Sequence, residues 1–232
     1  MSTAKLVAVV EDEVAIRDNY LAGLRRHGYR VVGYGSRKEA LAGFATRFPD
    51  LVIIDVNLGN EVEGGFELCR ELRARSAQLP IVFLTARESE LDAVSGLRLG
   101  ADDYLTKRTS IEHILARVAA LFRRVEALRS GDAPSERLEQ GSLALDRDRM
   151  TAQWKSTSVP LTVTEFWVVH ALALHPGHVR SREQLMAAAN VVLDDGTVTS
   201  QIKRIRAKFV GVDPKFDAIQ TVYGMGYRWQ SD

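Results

Sequence analysis

Short, almost wholly apolar runs alternate with amphipathic ones through the first half of the chain. Leu6-Val7-Ala8-Val9-Val10, Leu51-Val52-Ile53-Ile54 and Ile81-Val82-Phe83-Leu84 are too short for helices and too apolar for strands with a wet face. Each reads as a buried strand of a parallel sheet. Tyr29 to Tyr34 and Asp103 to Thr106 add two more strands. Between them lie stretches of helical period: Val14 to His27, stopped by Gly28; Ser36 to Phe48, ended by Pro49; Gly65 to Arg75; Leu91 to Leu99; and a fifth running to about Leu128. Ser36-Arg37-Lys38-Glu39 and Thr109-Ser110-Ile111-Glu112 carry capping-box spacing at two of the helix starts. Five strands and five helices in alternation predict an α/β, doubly wound, parallel five-stranded sheet over residues 1–124.

The pattern then changes. Arg129-Ser130-Gly131-Asp132-Ala133-Pro134-Ser135 is polar and rich in turn formers, which places a link at 125–138 and a second domain at 139–232. Leu143 to Leu145, Met150 to Trp154 and Val159 to Leu161 predict a small antiparallel sheet. Capping boxes at Thr162-Val163-Thr164-Glu165 and Ser181-Arg182-Glu183-Gln184 open two helices, Phe166 to Leu174 and one ending near Ala189. A third helix, Thr197 to Phe209, sets Val198, Ile202, Ile205 and Phe209 on one apolar stripe and Ser200, Lys203, Arg204 and Ala207 opposite, flanked by Thr199 and Arg206. These elements predict an α+β winged helix-turn-helix.

Composition narrows the chemistry. The net charge is +1, and the halves are balanced, so any case for nucleic acid rests on local clustering. Lys203, Arg204, Arg206 and Lys208 supply it, with no acidic residue from Gly196 to Val212. Small residues between long basic ones let a helix sit close in a major groove. Cys69 is the only cysteine, which excludes an intrachain disulfide and a thiolate metal cluster. No apolar run approaches membrane-spanning length and the start lacks a signal-peptide core, so a soluble, cytoplasmic protein with no membrane partner is expected. His170, His175 and His178 read as turn and core residues, and Trp154, Trp167 and Trp229 as core.

The strands of the first half end on chemistry. Glu11 and Asp12 follow the first, Asp55 follows the third, and Thr85 and Lys107 close the fourth and fifth. In open parallel sheets that carboxyl edge is where ligands bind, and the order 2-1-3-4-5 would make the first and third strands neighbours. Three carboxylates in one crevice repel each other and want a hard cation, Mg2+ rather than zinc. Asp55 beside such a cation, facing Thr85 and Lys107, is equipped to accept a phosphoryl group as a nucleophile.

Glu11-Asp12-Glu13, Asp55-Val56-Asn57-Leu58, Leu84-Thr85-Ala86-Arg87 and Gly100-Ala101-Asp102-Asp103-Tyr104-Leu105-Thr106-Lys107 resemble the flavodoxin-like receiver domain of two-component response regulators. The resemblance implies a cognate sensor histidine kinase as phosphodonor to Asp55. It implies Mg2+ held by Glu11, Asp12, Asp55 and the Asn57 carbonyl, and Thr85 and Lys107 on the phosphoryl oxygens. Thr85 and Tyr104 would move together as the switch. A homodimer would form on phosphorylation, with Asp103 and Arg117 matching one of its ion pairs. The chain departs from the pattern at Arg108, where proline is usual, and in the loop Gly59 to Gly65, too long by about two residues in that comparison. It departs again at the pairs Ala93–His113 and Arg98–Ala119, which cannot be ionic, so a weaker or differently built dimer is expected.

Leu161-Thr162-Val163-Thr164-Glu165-Phe166, His175-Pro176-Gly177, Ser181 to Leu185 and Thr221-Val222-Tyr223-Gly224-Met225-Gly226-Tyr227-Arg228 resemble the OmpR/PhoB-type DNA-binding domain. The resemblance implies double-stranded DNA, as direct repeats, read by Ser200, Gln201, Lys203, Arg204 and Arg206, with Thr221 and Tyr227 near phosphates. The hairpin around Gly224 and Gly226 would be the wing, where Tyr223 replaces the usual Arg and removes a contact. The loop Asn190 to Gly196, often turned toward RNA polymerase, is about three residues shorter than usual. Not an enzyme but a phosphorylation-dependent transcription factor is the expected function. A dehalogenase-type phosphatase would need a second Asp where Asn57 stands. A regulator that binds DNA without phosphorylation is the remaining alternative.

Overall fold

The structure is a computed structural model that describes residues 4–86, 99–126, 137–147, 149–189 and 195–230. The chain divides into two compact units between Phe122 and Arg123.

In the first unit, strands β1 (Leu6–Val10), β2 (Arg30–Tyr34), β3 (Leu51–Ile54), β4 (Ile81–Thr85) and β5 (Asp103–Thr106) form one parallel sheet in the order β2-β1-β3-β4-β5. Burial explains the apolar runs. Every residue of β1, β3 and β4 is buried, as it must be in a sheet covered on both faces. Helices Val14–Arg26, Arg37–Thr46, Gly64–Arg75 and Ile111–Glu126 lie between and after the strands. Leu24, Ile114, Val118 and Leu121 pack with Val7, Val9, Leu51, Ile53 and Val82 in a continuous core.

Two expected helix starts differ in detail. Ser36 caps as anticipated, its side chain accepting from Glu39 N, but the Glu39 carboxylate reaches Gly35 N rather than its own cap. In the last helix of the unit the capping residue is Ser110, which accepts from His113 N at 3.3 Å, not Thr109. The helix begins one residue later than the Thr109…Glu112 spacing suggested. The expected helix from Leu91 to Leu99 lies outside the described residues except for Leu99, so Ala93 and Arg98 fall outside them, as do residues 127–136 of the expected link.

The second unit opens with a four-stranded antiparallel sheet, β6 (Arg137–Gln140), β7 (Leu143–Asp146), β8 (Thr151–Trp154) and β9 (Thr157–Val159), in sequential order. Helices Val163–Ala173, Arg182–Ala188 and Asp195–Val212 follow, then the hairpin β10 (Ile219–Val222) and β11 (Gly226–Trp229). Both expected capping boxes are present, at Thr162 with Glu165 and at Ser181 with Gln184. The last helix starts two residues before the expected Thr197, inside the expected loop. Trp154 and Trp229 are buried among Phe209 and Phe216, whereas Trp167 is only half-buried, under the Arg147 guanidinium. No helix among the described residues is long and apolar enough to cross a membrane.

Candidate functional site

The register of the parallel sheet builds an acidic corner. Val10 pairs with Ile54 across β1 and β3, so the residues that follow them, Glu11 and Asp55, leave the sheet side by side. Asp55 N donates to Val10 O at 2.9 Å, and Glu11 N to Tyr34 O at 3.0 Å, which fixes both backbones at the edge. One carboxylate oxygen from each of Glu11, Asp12 and Asp55 lies within 4.8 Å of the others. Glu11 is 2% exposed and Asp55 5%, while Asp12 faces solvent. Behind Asp55, a side chain at Gly65 would bring its Cβ to 2.0 Å from the Asp55 carbonyl oxygen, so only glycine lets the Gly64–Arg75 helix start there.

Lys107 completes the corner. Its Nζ lies 2.8 Å from Asp55 Oδ2 and 2.8 Å from each Glu11 oxygen. Lys107 N also donates to Thr85 O at 2.8 Å, which ties the end of β5 to the end of β4. No peptide bond among the described residues is cis, Lys107–Arg108 included, and Lys107 reaches the carboxylates all the same. Burial pushes the Glu11 carboxyl up, and the nearby Asp55 charge adds to the rise, against the hydrogen bond from Lys107. Burial alone would lower Lys107, but its bonds to Asp55 and Glu11 outweigh that and raise it. The carboxylates therefore hold the Lys107 ammonium charged, while burial keeps Glu11 easier to protonate than a free glutamate. A divalent cation fits the donor set of three oxygens, and Asn57 sits beside it, its N–H 3.4 Å from Asp55 Oδ1.

Thr85 is fully buried at the end of β4, paired in register with Thr106. Tyr104 is half-buried, its ring 6.1 Å from that of Phe83. Asp103 and Arg117, expected to meet across a dimer, meet within one chain: Arg117 Nε donates to Asp103 Oδ2 at 2.6 Å and both are buried. Past Asp55 the loop forms a tight turn, with Leu58 and Glu61 exchanging backbone hydrogen bonds of 3.1 Å. Arg37 clamps it, bonding Glu61 and Glu71 at 2.7 Å each.

In the second unit the Asp195–Val212 helix buries Val198, Ile202, Ile205 and Phe209, the stripe read from the sequence. Thr199, Lys203 and Ala207 form its exposed line. Of the residues expected at a duplex, Lys203 and Thr221 are exposed, and Ser200, Arg204 and Arg206 are half-buried. Gln201, 3% exposed, and Tyr227 are buried. Arg204 is turned inward: its Nε bonds Glu165 and its Nη2 bonds Gln201 Oε1 at 2.6 Å. Lys208 joins the same carboxylate and the Pro160 carbonyl. Glu165 is the residue that sequence reasoning treated only as a cap. It does cap, accepting from Thr162 N at 2.7 Å, and it also holds two cations of the next-but-one helix. Its desolvation would raise the carboxyl, but Arg204 and Lys208 overcome that and hold it below the usual range. The hairpin is tied to the helix by Arg206, bonded to Ile219 O at 3.0 and 2.7 Å and to Thr221 Oγ1 at 3.0 Å.

Comparison with known proteins agrees with this arrangement. Residues 7–119 match the model of the response regulator receiver domain, and residues 156–229 that of the transcriptional regulatory protein C terminal. The chain is a two-component response regulator of the OmpR/PhoB type. Over 224 residues it is 38% identical to the transcriptional regulatory protein CreB of Escherichia coli (strain K12), covering 95% of this chain and 96% of that one. It is 35% identical over 232 residues to the alkaline phosphatase synthesis transcriptional regulatory protein PhoP of Bacillus subtilis (strain 168), covering 97% and 96%. The solved structure of the response regulator DrrB, an OmpR/PhoB homolog of Thermotoga maritima, aligns over 99% of this chain and 100% of its own, with a TM-score of 0.51 and 27% identity. This response regulator thus joins a receiver to a DNA-binding unit and is a regulator of transcription, with a kinase and DNA as the partners that such a pairing implies.

Proposed function

We propose that Asp55 accepts a phosphoryl group from a sensor histidine kinase and that the acyl phosphate controls how the second unit grips DNA. An Asp55 carboxylate oxygen attacks phosphorus; the bond from phosphorus to the donor imidazole nitrogen breaks, and that nitrogen keeps the electron pair. Mg2+, when held by Glu11, Asp12, Asp55 and the Asn57 carbonyl, neutralises charge gathering on the phosphoryl oxygens. Lys107 leaves part of its contact with Asp55 and follows the new phosphoryl oxygens, while the Thr85 hydroxyl donates to one of them. Thr85 moving toward the phosphate opens space for Tyr104 to turn inward. The observation that carries the reading is the convergence of three carboxylates and one ammonium at the edge of a buried sheet.

Phosphorylation, in this reading, brings two receivers together through a homodimer and places two DNA-binding units, residues 139–232, on direct repeats of a duplex. Lys203, Ser200 and Arg206 face the major groove and Thr221 the phosphates, with Gln201, Arg204 and Tyr227 holding the helix and hairpin from below. RNA polymerase is the further partner in this reading. Mass spectrometry after treatment with a small phosphodonor and Mg2+ tests the first step. One phosphoryl group on the peptide containing Asp55 is expected. An adduct on another residue, or none in wild type, would contradict it.

A further inference from the structure

Behind the acidic corner an arginine bonds a peptide carbonyl rather than a carboxylate. Arg17, half-buried on the Val14–Arg26 helix, donates from Nη1 to Glu11 O at 2.6 Å. Its main-chain N donates to Glu13 O at 2.9 Å. The connection Glu11-Asp12-Glu13, between β1 and the helix, is therefore held at both ends by one residue. Glu13 stands at the helix N-cap with no side-chain cap bond, so the connection gains no fixing of that kind. The neighbouring strand leaves the arginine its path. A Cβ at Gly33 would lie 3.1 Å from Arg17 Cδ and 2.7 Å from Leu21 Cδ1, and one at Gly35 would lie 3.2 Å from Arg17 Nη1. Between these two glycines, Tyr34 O accepts from Glu11 N at 3.0 Å, so the same run both braces Glu11 and admits the guanidinium.

We propose that Arg17 is a positioning residue for the divalent cation: it fixes the Glu11–Asp12 peptide and, through it, the directions in which both carboxylates leave the backbone. The inference rests on the Mg2+ reading above. A peptide unit is planar, so a bond to the Glu11 carbonyl also sets the plane of the Asp12 N–H. Glu11 is held besides by Lys107, whereas Asp12, the exposed member of the three carboxylates, takes its direction from this backbone. Mg2+ demands oxygen ligands near octahedral positions, and groups that orient its ligands tune its affinity. Because Arg17 bonds a carbonyl, it orders the site without competing for the oxygens that the metal needs. Its charge acts in the other direction, since a cation near the corner repels a second one. Positioning and charge thus predict opposite consequences of removing the guanidinium.

The test uses the full-length protein and Mg2+ alone, titrated by calorimetry at neutral pH, with circular dichroism to show that each variant is folded. Arg17→Met keeps an unbranched stem, removes donor and charge, and should weaken Mg2+ binding about tenfold. Were charge the larger effect, the same variant would bind Mg2+ more tightly. Gly33→Ala keeps the guanidinium but crowds its stem, and should also weaken Mg2+ binding. Arg17→Lys, with a charge and a donor on a shorter reach, should fall between Arg17→Met and wild type. With a small phosphodonor, Arg17→Met should need about tenfold more Mg2+ for its half-maximal rate of Asp55 adduct formation, yet reach the wild-type rate at saturation. A general loss of stability would not produce that split. Mg2+ affinity equal to or tighter than wild type in Arg17→Met or in Gly33→Ala overturns the proposal, while the phosphoryl-transfer reading stands. If wild type binds no Mg2+, both fall.

Discussion

Lys107 Nζ sits 2.8 Å from Asp55 Oδ2, the one ammonium among the described residues that contacts the acceptor carboxylate. It offsets one of the three negative charges of the corner before any metal or phosphate arrives, and after transfer it is within reach of the new oxygens. Lys107→Ala should therefore slow accumulation of the Asp55 adduct from a small phosphodonor on the order of 100-fold, the usual loss for one electrostatic donor in a transition state. The same variant should bind Mg2+ no more weakly than wild type, because removing a cation from among three carboxylates favours another. Unchanged phosphorylation kinetics would remove Lys107 from the mechanism.

Glu11 titrates high because it is buried and because Asp55 lies beside it. Mg2+ needs the ionised form, so protons and metal compete. Metal affinity should be full at neutral pH and should fall, as the solution is acidified, in a window above the ordinary value of 4.5. Because the folded-state pKa is raised, ionised Glu11 opposes folding at neutral pH, and that penalty fades as pH drops through the raised pKa. Glu11→Gln should abolish the metal's pH dependence in this window. Calorimetric titration with Mg2+ between about pH 5 and 8 is the measurement, and a flat profile for wild type would count against the assignment.

Glu165 carries the opposite shift. Its folded-state pKa is depressed by Arg204 and Lys208 against the cost of desolvation, so its stabilisation is present above the unfolded value and disappears as pH falls through the folded one. Glu165→Gln should destabilise the second unit by about 3 kcal/mol, since two cations lose their buried partner. Trp154, Trp167 and Trp229 are the only tryptophans and all lie in that unit, so fluorescence-monitored denaturation reads it selectively. An unchanged midpoint would show the cluster to be incidental.

Arg117 and Asp103 form a buried pair inside a single chain. Arg117→Ala should lower the stability of the unphosphorylated receiver by about 3 kcal/mol, leaving Asp103 without its cation. A residue serving only a dimer would leave that monomer unaffected. Denaturation of the first unit, followed by far-ultraviolet circular dichroism, separates the two.

What the sequence made legible follows from periodicity. Runs such as Leu51 to Ile54 can be nothing but buried strands, and each strand's end then locates a polar group at one edge; that is why Glu11, Asp55, Thr85 and Lys107 could be gathered without coordinates. Strand β6 was hidden because Arg137-Leu138-Glu139-Gln140 is an edge strand with alternate residues exposed, which reads as linker. Gln201 was placed on the outer face through likeness to other chains, yet it lies three residues after Val198 and four before Ile205, and that spacing puts it on the buried side. Arg204 and Lys208 fall on the same flank as Gln201, one helical turn apart, and so reach Glu165 rather than solvent. Charge alone could not show that half the basic patch is spent inside the fold.

The central claim is that an acyl phosphate on Asp55 alters the grip of the second unit on DNA. The most direct measurement is the affinity of the full-length chain for its selected duplex, at one salt concentration, with and without a small phosphodonor and Mg2+, in wild type and Asp55→Ala. Wild type should bind at least tenfold more tightly when treated, about 1.4 kcal/mol, and Asp55→Ala should show no change. Equal affinity across all four conditions would contradict the account.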